Sequence, residues 1–269
     1  SDPEYTKAAE RWQRILNKLE EWGEVKFLNE SIGVSTSTGA RLLTKEILES
    51  MCDESHEMTR LPLPGGSSVA GMRRIVAGVD WSGGGQEVKG SEGVIKSRTV
   101  LHIYGATEDG RLKTLYYKIF PNGHMTNCIE EIVELCNAWG VQMICGDAGE
   151  GQLANAMLRK ELGDHRVIQM RYMALSKPVD WNPNTLCYHV DRTTMIDNYA
   201  LFLTHQQAKF PKLTQMMPAI NDILNVYEET TTQGKKVWRH SPTAPDDCLH
   251  AQVFSWFAWK VLSQDLRFY

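Results

Sequence analysis

The sequence predicts a mixed α/β domain in which helices pack on one central sheet. Three observations predict it. Strand-like runs from Arg73 to Asp80, Arg98 to Ala106 and Leu112 to Phe120 follow one another through loops and turns, as in an antiparallel meander. Helical and strand-like segments then alternate, the pattern of parallel strands joined by crossover helices. The last segment, Asp246 to Leu262, is apolar nearly all round (Leu249, Val253, Phe254, Trp256, Phe257, Trp259, Val261), as befits a buried helix.

Taken in order, Glu4 to Gly23 places Ala8, Trp12, Ile15, Leu16 and Leu19 at helical spacing. Thr44 to Met51 reads as a short helix with Thr44 as N-cap. Leu61 to Gly71 is rich in Pro, Gly and Ser and reads as a linker, so residues 1–71 are expected to be a helical appendage and residues 72–269 the main domain. In the main domain, Ile75, Val76 and Val79 form a buried strand closed by Asp80 and a glycine cluster, with a polar loop from Ser82 to Ser97. After the meander, Ile129, Ile132, Val133, Leu135, Cys136 and Trp139 mark an amphipathic helix that stops at Gly140. Val141 to Cys145 is a fourth strand running into Asp147, Leu153 to Leu162 a helix, and Arg166 to Met170 a fifth strand. Thr193 to His205 and Leu213 to Val226 read as helices, the second interrupted at Pro218, and Val237 to His240 as an edge strand.

The chain has 269 residues, 42% hydrophobic and 23% charged, a folded rather than disordered composition. A net charge of −4 does not announce a nucleic-acid partner, but such binding depends on where basic groups cluster rather than on their total. The six cysteines show no CxxC pair and no zinc-ligand spacing, so reduced, mostly buried thiols are expected. With no leader ahead of the first charged residues and no run of membrane-spanning length, the expectation is an intracellular protein without a membrane partner.

The chemistry lies in the acids. Asp80 and Asp147 each end a strand, and in an open α/β sheet the functional crevice lies outside the carboxyl ends of strands. Asp246 and Asp247 open the last helix, where an aspartate can also serve as a cap. If these carboxylates converge, their repulsion calls for cations, and oxygen-only ligation suits Mg²⁺ or Mn²⁺. Two such ions about 4 Å apart can activate water and stabilise a leaving oxygen in phosphodiester hydrolysis.

The succession VAGVDWSGGG, MICGDAGEG and SPTAPDDCLHAQVFSW resembles the nuclease domain of viral large terminase subunits, the DNA-packaging motor proteins of tailed bacteriophages. FLNESIGVSTSTGARLLTKEIL resembles the stretch ahead of that domain, so the similarity runs from Trp22 to the end, with PDDCLHA its most specific motif. The resemblance implies a ribonuclease H-like fold and a divalent-metal-dependent endonuclease that cuts concatemeric viral double-stranded DNA in the host cytoplasm. It makes Asp80 the ligand shared by two ions, Asp147 the second-strand ligand and Asp247 the helix ligand. Asp246 and His250 are further metal candidates, because some relatives carry the last acid one helical turn on, where His250 stands. An ATPase motor, a small terminase subunit and a portal are the implied partners. The nearest approach to GxxxxGK(S/T), Gly33 to Arg41, lacks the lysine and the spacing, so the motor is not expected in this chain.

Lys89 and Lys96, on the glycine-rich loop, and Arg192 are candidates for DNA-phosphate contacts, against a solvated loop and an Asp191–Arg192 pair. Glu150 reads as a loop acid, Lys235, Lys236 and Arg239 as a solvated hairpin tip, and Trp81, Trp256 and Trp259 as core. The competing functions are a non-catalytic docking module for the portal or motor, and another nuclease of the same fold such as a junction resolvase.

Overall fold

The computed structural model describes residues 11–14, 16–17, 41–82, 98–120, 125–175, 177–241 and 244–268, without the side chains of 67–68. The chain divides into two compact units, Ser1–Arg41 and Leu42–Tyr269. In the first, residues 11–14 and 16–17 are helical, within the expected helix.

The second unit is an α/β domain. It opens with α1 (Lys45–Ser50), whose N-cap Thr44 accepts the Ile47 N–H. Leu42, Leu43, Leu48 and Met51 lie in the core with residues of the last two helices. The sequence sets a boundary near Met72 because its Pro/Gly/Ser run reads as a linker, whereas the compact unit begins at Leu42. Four buried apolar side chains bring this segment onto the sheet domain.

The sheet has eight strands in the order β6-β7-β5-β4-β1-β2-β3-β8. These are β1 (Met72–Asp80), β2 (Val100–Thr107), β3 (Leu112–Ile119), β4 (Met143–Asp147), β5 (Val167–Tyr172), β6 (Val179–Asn182), β7 (Cys187–Val190) and β8 (Ala208–Lys209). β1, β2 and β3 form the expected antiparallel meander, while β4 pairs parallel to β1 and β5 parallel to β4. This is the ribonuclease H-like arrangement. β6, β7 and β8 extend it at the edges.

Helices cover both faces. On one, α2 (Met125–Ala138) and α3 (Gln152–Leu162) bury Ile129, Ile132, Leu135, Ala154 and Leu158 against Ala77, Val79, Leu101 and Ile144. On the other lie α4 (Arg192–Thr204), α5 (Leu213–Leu224, continuous through Pro218) and α6 (Asp247–Leu262). Val76 and Cys145 belong to that second cluster. Because strand side chains alternate, Gly78 and Asp80 share the face of Val76, and Asp147 that of Cys145. Both strand-end acids therefore lie on the α6 side. A separate hairpin, β9 (Val226–Thr230) with β10 (Lys236–His240), follows α5. No described cysteine is in a disulfide, and all but Cys52 are buried, as expected.

A histidine is buried in the core of the α6 face. His102 is buried, with Nδ1 2.8 Å from Ser255 Oγ and Nε2 3.1 Å from Thr114 Oγ1. The Ser255 hydroxyl donates to the Gln252 carbonyl, which leaves His102 Nδ1–H as donor and Nε2 as acceptor from Thr114. Burial pushes His102 down to about 3, so the unfolded chain takes up a proton near pH 6.5 that the folded chain refuses. Stability is thus expected to fall as pH drops below 6.5, by about 1.4 kcal/mol per pH unit from this group. Thermal melts from pH 7 to pH 4 check it: His102→Gln should flatten that decline relative to the wild type.

Candidate active site

The site forms where β1 and β4 end and α6 begins. The paired residues of these parallel strands run to Val79↔Gly146, so Asp80 and Asp147 stand just past the last pair, on neighbouring strands. Gly78 brings the third element in. A Cβ there would lie 2.2 Å from both Ala251 O and Ser255 N, so the backbone of α6 rests directly on β1. That contact sets the first turn of α6, with Asp247 preceded by Asp246, beside Asp80.

The electrostatics record the convergence. The Asp80 carboxyl is held well above the usual carboxylate range, first by burial and then by the charges of Asp247, Asp147 and Asp246, with Arg192 pulling the other way. Asp147 is steadied by its own loop: Oδ2 accepts the N–H groups of Gly149 and Glu150, each at 3.0 Å.

Two arginines meet the helix acids. Arg98 donates from Nε to Asp247 Oδ2 at 3.0 Å and from Nη2 to Asp222 Oδ2 at 2.5 Å. Asp222, 2% exposed on α5, also accepts the Cys248 N–H at 2.8 Å and so binds the start of α6. Burial raises its carboxyl, against the Cys248 N–H and Arg98. Arg192 reaches Asp246 Oδ2 from Nη2 at 3.2 Å and donates from Nη1 to Trp238 O. His250 Nε2 lies 3.1 Å from both Asp246 Oδ2 and Arg192 Nη2, and its Nδ1 lies 3.0 Å from the Tyr172 hydroxyl. Burial favours a neutral Asp246, but His250, His240 and Arg192 outweigh it and hold this carboxyl at about 2.

The structure thus brings Asp80, Asp147, Asp246 and Asp247 into one electrostatic cluster, with His250 and Arg192 on Asp246. Asp191 caps α4 through the Thr194 N–H instead of pairing with Arg192. Glu150 is exposed, and Lys236 and Arg239 pair with acids on the β9–β10 hairpin or α4. Trp81 and Trp256 are core. Lys89 and Lys96 lie outside the described residues.

Arg98, Asp222 and Tyr172 are the neighbours that sequence reading did not single out. Only Asp222 carried a signal: it is a charge among Met216, Ala219, Ile220 and Ile223 on the buried face of an amphipathic helix. Arg98 reads simply as the start of a strand.

Four carboxylates from three elements are an oxygen-only donor set, the kind hard divalent cations prefer. Among the described residues, no three His, Cys, Asp or Glu side chains are disposed to hold one ion jointly. Asp246 and Asp247 each face an arginine instead.

No family model matches the sequence, and no curated protein is similar to it. Solved structures match the fold. The large terminase nuclease from thermophilic phage G20c with bound magnesium aligns over 82% of this chain and 98% of its own, with a TM-score of 0.52 at 12% identity. The same nuclease with bound cobalt gives 0.52 at 11% identity, over the same shares of both chains. The HK97 bacteriophage large terminase aligns over 90% of this chain and 49% of its own, with a TM-score of 0.50 at 11% identity. The present chain therefore matches about half of that protein's length. The likeness is one of fold.

Proposed function

We propose that this chain is the nuclease domain of a phage large terminase and that it hydrolyses phosphodiester bonds of double-stranded DNA with divalent metal during genome packaging. One observation carries the reading: the charges of the strand-end acid Asp147 and of the helix acids Asp246 and Asp247 all bear on the buried Asp80 carboxyl, on a fold shared with large terminase nucleases.

In this reading Asp80, Asp147 and Asp247 would hold two ions, Mg²⁺ or Mn²⁺. Asp246, which accepts from Arg192 and lies 3.1 Å from His250, braces the start of α6 with them. Bound ions supply a more acidic water and charge stabilisation at the phosphoryl and leaving oxygens. The chain's own part is to hold the carboxylates close together and aimed, so that a cation relieves the cost of the Asp80 charge. Arg98 offsets the charge of Asp247, and Asp222 holds the same guanidinium in place. Lys89, Lys96 and Arg192 contact DNA phosphates, Arg192 while also holding Asp246. Cleavage of concatemers in the host cytoplasm, an ATPase motor in the longer protein, and a small terminase subunit and portal as partners complete the proposal.

The test is incubation of linear and supercoiled DNA with the protein in Mg²⁺, Mn²⁺, Ca²⁺ or chelator. Sequence-indifferent cleavage in Mg²⁺ or Mn²⁺, lost with chelator, is expected. Intact DNA in every condition, with no Mn²⁺ taken up, would leave the docking-module reading instead.

A further inference from the structure

Asn155 lies on α3, is 0% exposed and touches both acid-bearing strand ends. Its Oδ1 accepts the indole N–H of Trp81, the residue after Asp80, at 3.0 Å. Its Nδ2 donates to the backbone oxygen of Asp147 at 2.7 Å and to Gln169 Oε1 on β5 at 3.3 Å. Gln169 is fixed in turn, donating from Nε2 to Thr185 O at 2.7 Å.

Two glycines close this arrangement. A Cβ at Gly146, just before Asp147, would lie 1.9 Å from Asn155 Oδ1. A Cβ at Gly151 would lie 1.9 Å from Trp81 Cδ1 and 2.4 Å from Asp147 O. Neither position has room for a side chain, so the amide, the indole and the β4–α3 turn are packed as one piece.

The pairing of β1 with β4 stops at Val79↔Gly146, short of the two acids. Like charges on neighbouring strand ends push apart, and past the last β1–β4 pair the two ends are held only to their outer neighbours, Asp80 to Val100 and Asp147 to Met170, and not to each other. The Asn155 amide takes over there, gripping one strand end through an indole and the other through a carbonyl. We infer that Asn155 is a positioning residue that sets the spacing of the Asp80 and Asp147 carboxylates for a divalent cation. The inference rests on the nuclease reading of this site.

The experiment compares Mn²⁺ binding by calorimetry, thermal midpoint, and exchange of the Trp81 indole N–H by NMR in four variants. Asn155→Ser removes the link, and Asn155→Asp keeps the acceptor for Trp81 but loses the donor to Asp147. Trp81→Phe removes only the indole donor while its ring still packs, so it carries the test should Asn155→Ser not fold. Thr114→Val, which deletes a buried hydrogen bond to His102 away from the acids, is the control for general destabilisation.

The expected result is a protected indole N–H in the wild type, loss of that protection in Asn155→Ser, and Mn²⁺ affinity about tenfold weaker in the first three variants. Thr114→Val should bind Mn²⁺ as the wild type does. Wild-type Mn²⁺ affinity in both Asn155→Ser and Trp81→Phe overturns the inference and leaves Asn155 a packing residue. Mn²⁺ affinity that merely tracks thermal midpoint, Thr114→Val included, overturns it too. A wild-type protein that binds no Mn²⁺ overturns the nuclease reading itself, which separates the two failures.

Discussion

Replacing Asp80 or Asp147 with alanine is expected to lower metal-dependent DNA cleavage by about 10³-fold or more, with the fold intact. Each change removes an oxygen donor that neither arginine nor water supplies in the same place. Stability should move the opposite way for Asp80. Its carboxyl is held above the usual range by burial and by three neighbouring acids, so at neutral pH its charge is a penalty carried by the folded state. The sign follows from linkage: the penalty is absent below the unfolded carboxylate range and grows as pH rises toward the raised folded value. Asp80→Asn, measured in chelator at neutral pH, should therefore melt higher than the wild type while failing to nick plasmid in Mn²⁺. Nicking at the wild-type rate by Asp80→Ala or Asp147→Ala would refute the assignment of these acids.

Gly78→Ala should be among the most damaging of small substitutions here. Its methyl carbon would stand 2.2 Å from Ala251 O and 2.2 Å from Ser255 N, and both are backbone atoms of a buried helix that cannot rotate aside. Either β1 or α6 must shift, at a cost of about 3 kcal/mol or more, equivalent to a thermal midpoint lower by on the order of 10 °C. If the protein still folds, α6 should move off β1 and carry Asp247 from Asp80, so Mn²⁺ affinity should fall as well. Gly110→Ala gives the contrast. Gly110 has a positive φ of 82° but open space around it, so only backbone strain of about 1 kcal/mol is expected. Equal midpoints for the two variants would show that the β1–α6 contact is looser than its geometry indicates.

Much of this architecture was legible in the chain. The meander, the β4–α3–β5 succession and the buried final helix follow from periodicity, because each segment is long enough to show its apolar face. Other elements were not. β6 and β7 are four residues each, mostly half-buried, with Pro183 and Asn184 between them, so alternation has no length in which to appear. β9 carries Glu228 and Glu229, buries Val226 alone of its five residues and, among the described residues, pairs with β10, so its alternation is too short to mark a strand. Residues 61–71 have the composition of a linker, yet residues 42–51 ahead of them supply core side chains, because composition reports local flexibility and burial is decided elsewhere.

The site divides in the same way. The sequence by itself determined that aspartates end two strands and begin a buried helix, since strand ends, glycine turns and helix starts are local features. Tertiary structure alone decided which cation each acid meets. Asp247 faces Arg98, 149 residues away, and Asp246 faces Arg192, 54 residues away. Those pairings depend on a glycine that lets a helix backbone lie on a strand, and Coulomb attraction acts through space, indifferent to the length of chain between the charges.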